Sequence, residues 1–372
     1  MSLRIALVHP TYWPEVRRGS ERLINGAATS LARRGHEVTI LTTHPGPTSD
    51  SVEDGVRVLR SRRPPKLPRS RDQEYFVETA PIAALRLLQG DYDLAHAFFP
   101  VDAWAGVKAR SAGGPPVAFS FHGVPVRQYL VAKRRRLGLL SSAVREAGAV
   151  SVLSEAAAEP YRRYLLRDPR VLPGGIYCDQ FEVEVDRAEH PTLICAASLG
   201  DPRKGGELLL DAFNLARERI PAARLLLAGG RDPFLSRITL ELSGEGVEVI
   251  DGDDTAELAA AYARSWASVL PAIGEAFGLV LLESMAAGTP PIALRAGASP
   301  ELVGDGVGAL VEPGDPEALA GAIVAALAGP PGDEVRDACR SRARAFDWER
   351  VADRYEDFHR SALDAGAPSP VQ

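Results

Sequence analysis

The sequence predicts an α/β protein with two doubly wound domains, each built around a sheet of parallel strands. The chain has 372 residues, which is more than most single cores contain. Short apolar runs alternate with amphipathic segments, and this alternation restarts near residue 192. Residues 1–180 carry 26 Lys and Arg against 17 Asp and Glu, whereas residues 181–372 carry 17 against 32. This charge asymmetry supports two domains with different ligands.

The first half begins with a βαβ unit. An apolar strand at 4–8 leads into a loop at 9–19, and a helix follows in which Leu23, Ile24 and Leu31 recur at helical spacing. The strand at 37–41 completes the unit, so that the loop lies at the carboxyl end of the first strand. Further strands are predicted at 56–59, 94–98, 117–121 and 150–153. Helices are predicted near 78–88, 102–109, 129–147 and 155–166, with an interruption at Pro160.

The second half repeats the pattern after a linker that ends at His190. A strand at 192–197 is followed by a loop that carries Arg203 and Lys204 and leads into a helix at 207–217. A cation at a helix start opposes the helix dipole, so an ordinary surface role explains Lys204 poorly, whereas two cations beside helix N–H groups suit a diphosphate. Later strands are predicted at 224–229 and 247–250. Later helices are predicted at 256–263, 315–327, 333–345 and 347–363, and the tail at 365–372 is predicted to be disordered.

Residues 268–294 form the most informative stretch. The apolar run 268–272 predicts a buried parallel strand, the loop 274–278 contains Glu275, and residues 279–287 have helical spacing before Gly288 ends the helix. A second strand follows. A loop between a strand end and a helix start is where open α/β sheets bind ligands, and the N–H groups of the helix favour an anion.

Two carboxylates, Glu275 and Glu283, bracket this turn with seven residues between them. Acceptors on either side of an anion site suit a ligand with phosphates in the middle and hydroxyls at both ends, such as a nucleotide-sugar. By residue type alone, Glu283 would more commonly be a solvated helix residue. Its neighbours Leu282 and Met285 are apolar, however, and a carboxylate among them needs hydrogen-bond donors.

The segment GEAFGLVLLESMAAGTPPIA closely resembles the E-x7-E signature of retaining glycosyltransferases with the GT-B fold, in the large family 4. This resemblance implies two Rossmann-like domains that face each other across a cleft. It places an acceptor-binding domain at 1–180, a donor-binding domain at 181–345, and a final helix and tail at 346–372 that cross back to the first domain. It also implies retaining, metal-independent transfer of a hexosyl group from a UDP-, GDP- or dTDP-sugar to a hydroxyl acceptor, without a cofactor.

The resemblance assigns the donor site residue by residue. Arg203 and Lys204, with the N–H groups of Phe277, Gly278 and Leu279, would hold the diphosphate, while Glu275 would bind the sugar and Glu283 the ribose. Two positions depart from the family pattern. Ser198 stands where an Arg is usual, so Arg203 is expected to supply that charge, and Arg18 replaces the first residue of a Gly-Gly pair.

Two residues of the first half complete the predicted site. Gly19 retains the second position of that Gly-Gly pair and is expected to approach the diphosphate through its backbone. His122 follows a predicted strand and precedes Gly123, as does a family histidine near the transferred sugar. Without the resemblance, a histidine that merely ends a strand would be the commoner interpretation.

Composition excludes several other classes. The chain is 45 % hydrophobic and its net charge is −6. From its apolar runs and its first residues we expect neither a membrane-spanning segment nor a signal peptide. The cysteines Cys178, Cys195 and Cys339 are distant from one another and odd in number, which favours a cytoplasmic location. No motif in the sequence predicts a metal site.

Two basic clusters lie in the first half. The simplest interpretation is solvated surface, and the sharper one is peripheral contact with an anionic membrane face. Nucleic acid is disfavoured because the chain as a whole is acidic. The clusters consist of Arg60, Arg62, Arg63, Lys66, Arg69 and Arg71, and of Lys133, Arg134, Arg135 and Arg136.

Alternative functions remain open at this point. Another enzyme of the same fold, such as a sugar-nucleotide 2-epimerase or a phosphorylase, would share the donor site. A non-catalytic, two-lobed sugar-binding protein would share the architecture. The identities of the sugar, the base and the acceptor (lipid, glycan or small natural product) do not follow from one sequence.

Overall fold

A computed structural model gives the structure of residues 2–65, 76–127, 134–229, 246–304 and 306–365. The chain forms two compact units. Unit 1 comprises Met1–Gly175 and Trp348–Gln372, and unit 2 comprises Ile176–Asp347. Each unit contains a sheet of mainly parallel strands with intervening helices, so the predicted α/β class with two doubly wound sheets is confirmed. The units divide at residues 175 and 347, close to the predicted 180 and 345.

The sheet of unit 1 has eight strands in the order β3-β4-β2-β1-β5-β6-β7-β8, and β3 alone runs antiparallel to its neighbour. The strands β5, β6 and β7 are buried at every residue, which explains why their sequences are largely apolar, with one polar residue each. The strands are β1 Arg4–Val8, β2 Glu37–His44, β3 Ser49–Glu53, β4 Val56–Arg62, β5 Leu94–Ala97, β6 Val117–Phe121, β7 Ala149–Val152 and β8 Arg170–Val171.

Two strands of unit 1 were not predicted, and both lie at the edges of the sheet. The sequence of β3 is SDSVE, which is polar and mostly exposed, so it has no apolar alternation that could have marked it. The strand β8 has only two residues. Edge strands bury little side-chain surface and therefore leave little signal in a sequence.

The helices of unit 1 follow the prediction with small changes at their ends. The helix predicted at 155–166 ends at Pro160 and continues as one π-helical turn, Tyr161–Leu165. The start of the helix predicted from residue 129 and most of the tail lie outside the described residues. The α-helices are Gly19–Arg33, Ala80–Gln89, Pro100–Ser111, Arg134–Glu146, Glu155–Pro160 and Trp348–Asp364.

The last helix, Trp348–Asp364, packs in unit 1. The Trp348 indole lies against Gly26 so closely that a Cβ at Gly26 would be 2.2 Å from its Nε1. Trp348 is 2 % exposed, and its carbonyl accepts a hydrogen bond of 3.2 Å from Ser30 Oγ. Further along the helix, His359 Nε2 lies 2.9 Å from Nδ1 of His96 in β5. The helix is thus held by packing at its start and by a buried polar contact near its end.

The sheet of unit 2 has six parallel strands in the order β11-β10-β9-β12-β13-β14. The chain runs outward from β9 and then returns to pair β12 with the other side of β9, through Ser268 and Ile194. The carboxyl ends of β9 and β12 therefore form the topological switch point, where open parallel sheets bind ligands. The strands are β9 Thr192–Cys195, β10 Arg224–Ala228, β11 Val247–Ile250, β12 Ala267–Leu270, β13 Pro291–Leu294 and β14 Ala309–Val311.

In the described part of unit 2, the α-helices match the prediction except for one short addition, Ser299–Leu302. Asp254 caps the helix Thr255–Arg264 by accepting hydrogen bonds from two backbone N–H groups. The helix of the 268–294 stretch spans Leu279–Ala286. The remaining helices are Gly206–Arg219, Pro316–Ala326 and Asp333–Arg344.

Candidate functional site

The centre of the candidate site is an ion pair between the two loops at the switch point of unit 2. Lys204 ends the loop after β9, and Glu275 lies in the loop after β12; Lys204 Nζ is 2.5 Å from Glu275 Oε2. The two side chains are 27 % and 15 % exposed, so the pair is partly shielded and still reachable by a ligand. The backbone joins the loops as well, because Ile273 N–H donates to the carbonyl of Arg203 at 2.8 Å.

Two glycines allow the backbones of this site to approach one another closely. Gly205 has a φ of +70°, and a Cβ there would lie 2.0 Å from the carbonyl oxygen of Pro271. Gly297, in the loop after β13, has a φ of +57°, and a Cβ there would lie 2.4 Å from the carbonyl oxygen of Glu275. Ala298 N–H donates to that same oxygen at 2.9 Å. Only glycine fits both positions, so the loop after β9 lies against the backbone of Pro271 and the loop after β13 lies against the backbone of Glu275.

The helix Leu279–Ala286 begins directly after the Glu275 loop. Gly278 is its N-cap, with a φ of +99° and no side-chain cap. The first N–H groups of a helix have no acceptor inside the helix, so an uncapped start favours an anion. The side chain of Phe277 is 4 % exposed and packs edge-on against Phe346 at 6.0 Å, so only its backbone can serve a ligand.

Arg203 occupies a different environment from Lys204, although the two are adjacent. Both belong to the short 3₁₀ helix Pro202–Lys204, which Asp201 caps. The Arg203 guanidinium pairs with Asp201, with Nη2 2.6 Å from Oδ2, and is 71 % exposed. Hydrogen bonding from Arg203 lowers the pKa of Asp201. The charge that Arg203 was predicted to give a diphosphate is therefore shared with a carboxylate.

Glu283 lies in the middle of the helix Leu279–Ala286 and is 0 % exposed. The alternative of a solvated helix residue is thus wrong, because its apolar neighbours Leu282 and Met285 are buried with it. A ribose could reach this carboxylate only if the side chains over it moved. The predicted role of Glu283 stays a prediction.

In unit 1, His122 directly follows β6 and packs against Phe98, with 5.0 Å between ring centroids. Both of its ring nitrogens are buried, and neither has a hydrogen-bond partner among the described residues. Burial, with a smaller contribution from the charge of His9, lowers the pKa of His122 to about 3. The imidazole is therefore neutral at ordinary pH and can both donate and accept a hydrogen bond.

The loop after β1 contains a buried polar contact that sequence reasoning missed. Thr11 Oγ1 donates to Glu21 Oε1 at 2.8 Å, and His9 Nδ1 lies 3.9 Å from the same oxygen. Glu21 belongs to the first turn of the helix Gly19–Arg33, for which Arg18 is the N-cap without a side-chain cap. A carboxylate in a helix's first turn was the available signal. This contact ties the loop after β1 to the start of the helix Gly19–Arg33.

Comparison with known proteins accounts for nearly the whole chain. Residues 17–180 match the model of Glycosyltransferase Family 4, and residues 179–346 match the model of Glycosyl transferases group 1. The solved structure of sucrose-phosphate synthase from Thermosynechococcus elongatus superposes with a TM-score of 0.85 at 26 % identity, over 97 % of this chain and 99 % of that one. The chain belongs to the family 4 glycosyltransferases of the GT-B fold.

Two relatives of this glycosyltransferase are similar to it over most of its length. The phosphatidyl-myo-inositol mannosyltransferase of Mycobacterium leprae is 28 % identical, over 99 % of this chain and all of the relative. The D-inositol 3-phosphate glycosyltransferase of Segniliparus rotundus is also 28 % identical, over 95 % of this chain and 87 % of the relative. The predicted activity, transfer of a hexosyl group from a nucleotide-sugar donor, is confirmed for the family to which the chain belongs.

Two arginines of the first basic cluster, Arg60 and Arg63, have structural partners. Arg60 pairs with both carboxylate oxygens of Glu53 and donates to the carbonyl of Trp13, and Arg63 pairs with both oxygens of Glu15. Solvated surface is therefore the wrong interpretation for these two arginines, which hold the loop after β1. Lys66, Arg69, Arg71 and Lys133, and the side chains of Arg134 to Arg136, lie outside the described residues.

Among the described residues, no helix is both long and apolar enough to cross a membrane. The same part of the chain contains no group of three or more His, Cys, Asp or Glu side chains that could hold a metal ion.

Proposed function

We propose that this glycosyltransferase moves a hexosyl group from a UDP-, GDP- or dTDP-sugar to a hydroxyl acceptor, with retention at the anomeric carbon and without a metal. The observation that carries the proposal is the Lys204–Glu275 ion pair at the switch point of the unit 2 sheet. A cation and an acid held together there match the two halves of the reacting group, a diphosphate and a sugar with hydroxyls.

The donor diphosphate would lie between Lys204 and the start of the helix Leu279–Ala286. Lys204 and the N–H groups of Phe277, Gly278 and Leu279 would share its charge, with a smaller contribution from Arg203, which is already paired with Asp201. Glu275 would accept hydrogen bonds from the sugar, and Glu283 from the ribose. Because Glu275 neutralises Lys204 when no donor is bound, donor binding exchanges one anionic partner of Lys204 for another.

In the proposed reaction the acceptor oxygen forms a bond to the anomeric carbon on the face that the diphosphate leaves. The bond between that carbon and the phosphate oxygen breaks, and the hydroxyl proton passes to the departing phosphate. Lys204 and the helix N–H groups stabilise the charge that develops on the phosphate, which is usually the largest electrostatic contribution to such catalysis. Side-chain and backbone positive charge would thus perform the task that a divalent cation performs elsewhere.

Unit 1 would supply the acceptor side. The neutral imidazole of His122 can donate to one hydroxyl and accept from another. We further propose peripheral contact of unit 1 with an anionic membrane face. Among the described residues, this contact could use Arg62 and the exposed leucines Leu85 and Leu88 of one helix, whereas Arg60 and Arg63 are already paired.

The test of the reaction is product analysis. The purified chain, incubated with each of the three classes of donor and a panel of hydroxyl acceptors, should release nucleoside diphosphate only when an acceptor is present. The proton spectrum of the product should show the anomeric configuration of the donor, and activity should survive excess chelator. An inverted product would contradict retention at the anomeric carbon, and loss of activity with chelator would contradict metal independence. A C2-epimerised sugar formed without acceptor would favour an epimerase.

The test of membrane contact is sedimentation with vesicles. Vesicles that contain phosphatidylglycerol should carry the wild-type chain down, and a Leu85→Ser, Leu88→Ser variant should remain in solution. Equal sedimentation of both chains, or none with either, would argue against the proposed surface.

A further inference from the structure

Three arginines meet at the amino edge of the unit 2 sheet, opposite the edge that carries Lys204 and Glu275. Arg336 and Arg340 lie one turn apart on the helix Asp333–Arg344. They face Gly288, which follows the helix Leu279–Ala286 with a φ of +74°. A Cβ at Gly288 would lie 3.3 Å from Arg340 Nε and 3.4 Å from Arg336 Cβ, so both side chains cover this turn.

Arg187, from the linker before β9, completes the cluster. It donates to the carbonyl of Gly288 at 2.7 Å, to Thr289 Oγ1 at 2.9 Å and to the carbonyl of Ser265. Burial, with smaller contributions from the charges of Arg336 and Arg340, lowers the pKa of Arg187 to about 10. The three guanidinium groups are thus close enough to repel one another.

Negative partners for this cluster are scarce. Arg336 pairs with Asp333 through Nη1 and Oδ1 at 3.1 Å, but that carboxylate is 91 % exposed. Within the ranges that the structure describes, Arg340 makes no hydrogen bond and no ion pair, and the buried Nε atoms of Arg336 and Arg340 both lack an acceptor. The carbonyl end of a helix attracts cations, but Arg187 already occupies the Gly288 carbonyl.

A guanidinium group stays protonated in proteins, so it cannot escape burial by losing its charge. A shielded cation without a partner is costly, and a second cation beside it increases the cost. Residues 181–372 are strongly acidic in total, with 32 Asp and Glu against 17 Lys and Arg, so the cluster is not part of a generally basic surface. These facts together indicate a ligand of opposite charge.

We propose that Arg336 and Arg340 bind an oxyanion of the phosphate class at the amino edge of the unit 2 sheet, as a site separate from the donor loops. The planar fork of each guanidinium matches two oxygens of such an anion. Arg187 holds the turn at Gly288 through its hydrogen bonds and adds positive electrostatic potential to the site. A free phosphate or phosphomonoester and the headgroup of a phospholipid share this chemistry.

The test is a calorimetric titration of the full chain with inorganic phosphate. The donor loops could also bind phosphate, so every variant is made in a Lys204→Ala background. Arg340→Gln should weaken binding by about tenfold or more, as expected for loss of a hydrogen bond to a charged group. The matched control is Arg219→Gln, which removes one charge from an exposed pair with Glu317 in the same unit and should leave the affinity unchanged.

A second measurement separates ligand binding from a structural role. In buffer without phosphate, Arg340→Gln should be as stable as its parent or more stable, because it removes one of three like charges. Added phosphate should then raise the melting temperature of the parent more than that of the variant. If Arg340 only supported the fold, the variant would melt lower without phosphate, and that result would overturn the proposal. Equal phosphate affinity in parent and variant would mean an adventitious ion only.

Vesicles distinguish the two sources of the anion. Binding of the chain to phosphatidylcholine vesicles that contain phosphatidic acid is compared with its binding to vesicles of phosphatidylcholine alone. Binding that requires Arg340 and is displaced by free phosphate would support the site with a lipid headgroup as its ligand. Phosphate binding that requires Arg340, without vesicle binding, would support the site with a soluble phosphate.

Discussion

The carboxyl edges of the two sheets occupy equivalent topological positions, yet they differ in chemistry. In unit 2 this edge carries a charged and partly exposed pair, Lys204 and Glu275. In unit 1 the end of β6 carries a buried neutral imidazole, that of His122, whose pKa is lowered by burial. The same scaffold thus offers a charged pair in one unit, which suits a diphosphate, and an uncharged hydrogen-bonding group at the end of β6 in the other, which suits hydroxyls. Side chains in loops, and not the sheets, set this difference.

The largest effect is expected at the charged edge. Lys204→Ala should lower kcat/KM by about 10² to 10³, the loss typical of a group that stabilises developing charge. Glu283→Ala should act mainly on the KM for the donor, because it would remove a contact to the ribose and none to the reacting atoms. Steady-state kinetics with varied donor concentration separates the two effects. Near-normal kinetics in both variants would remove the basis of the site assignment.

The next effect concerns the histidines, six of which lie in unit 1 and only His190 in unit 2. Burial lowers the pKa of His122 and of His359 to about 3 each. An unfolded chain takes up these protons at about pH 6.5, whereas the folded chain does not, so stability is lost as the pH falls through that value.

Each of these imidazoles should cost about 2 kcal/mol of stability between about pH 7 and pH 5. Denaturant unfolding of the full chain at several pH values measures this loss of stability. In single-tryptophan variants, Trp104 fluorescence reports the unfolding of unit 1 and Trp266 fluorescence reports that of unit 2. Unit 1 should lose stability and unit 2 should lose much less. Equal loss in both units would show that the buried imidazoles are not responsible.

A smaller effect tests the close approach of the two loops that carry Lys204 and Glu275. Gly205→Ala places a Cβ 2.0 Å from the Pro271 carbonyl, whereas Gly314→Ala introduces a Cβ at a similar positive φ, +86°, with nothing within 4 Å. Both variants carry the cost of a left-handed alanine, and the first should lose about 1–2 kcal/mol more because the loops must separate. Thermal unfolding and donor kinetics measure the difference. Identical behaviour would mean that the contact has no consequence.

The smallest effect is expected at Arg203. Its pair with Asp201 is exposed, and such pairs contribute about 0–1 kcal/mol to stability. Arg203→Ala should therefore leave stability nearly unchanged and should reduce donor affinity much less than Lys204→Ala does. A loss as large as that of Lys204→Ala, measured by donor titration, would show that Arg203 leaves Asp201 when the donor binds.

The sequence predicted the architecture because both sheets have buried central strands. Short, largely apolar runs such as VAFSF in β6 favour covered strands, and Asp254 stands at a helix start, where aspartate is favoured. The polar edge strand β3 left no such signal. Lys204 and Glu275 could be assigned to one site because each follows a strand of a parallel sheet.

The remaining features of the site depend on side-chain directions and packing that the sequence does not encode in a recognisable pattern. No local pattern announces that Arg203 turns to Asp201, that Glu283 is fully covered, or that Gly297 presses on the backbone of Glu275. The same is true of Arg60, which looked like surface charge and instead pairs with Glu53. The buried contact of Glu21 with Thr11 was missed for this reason as well.

The central claim is that the Lys204–Glu275 loops hold the diphosphate of a nucleotide-sugar. Calorimetric titration of wild type and Lys204→Ala with UDP, GDP and dTDP, and with the nucleoside of whichever binds most tightly, tests it directly. The nucleoside diphosphate should bind wild type and lose about tenfold or more of its affinity in the variant, while the weaker binding of the nucleoside stays the same. A variant that binds the diphosphate as tightly as wild type would contradict the account.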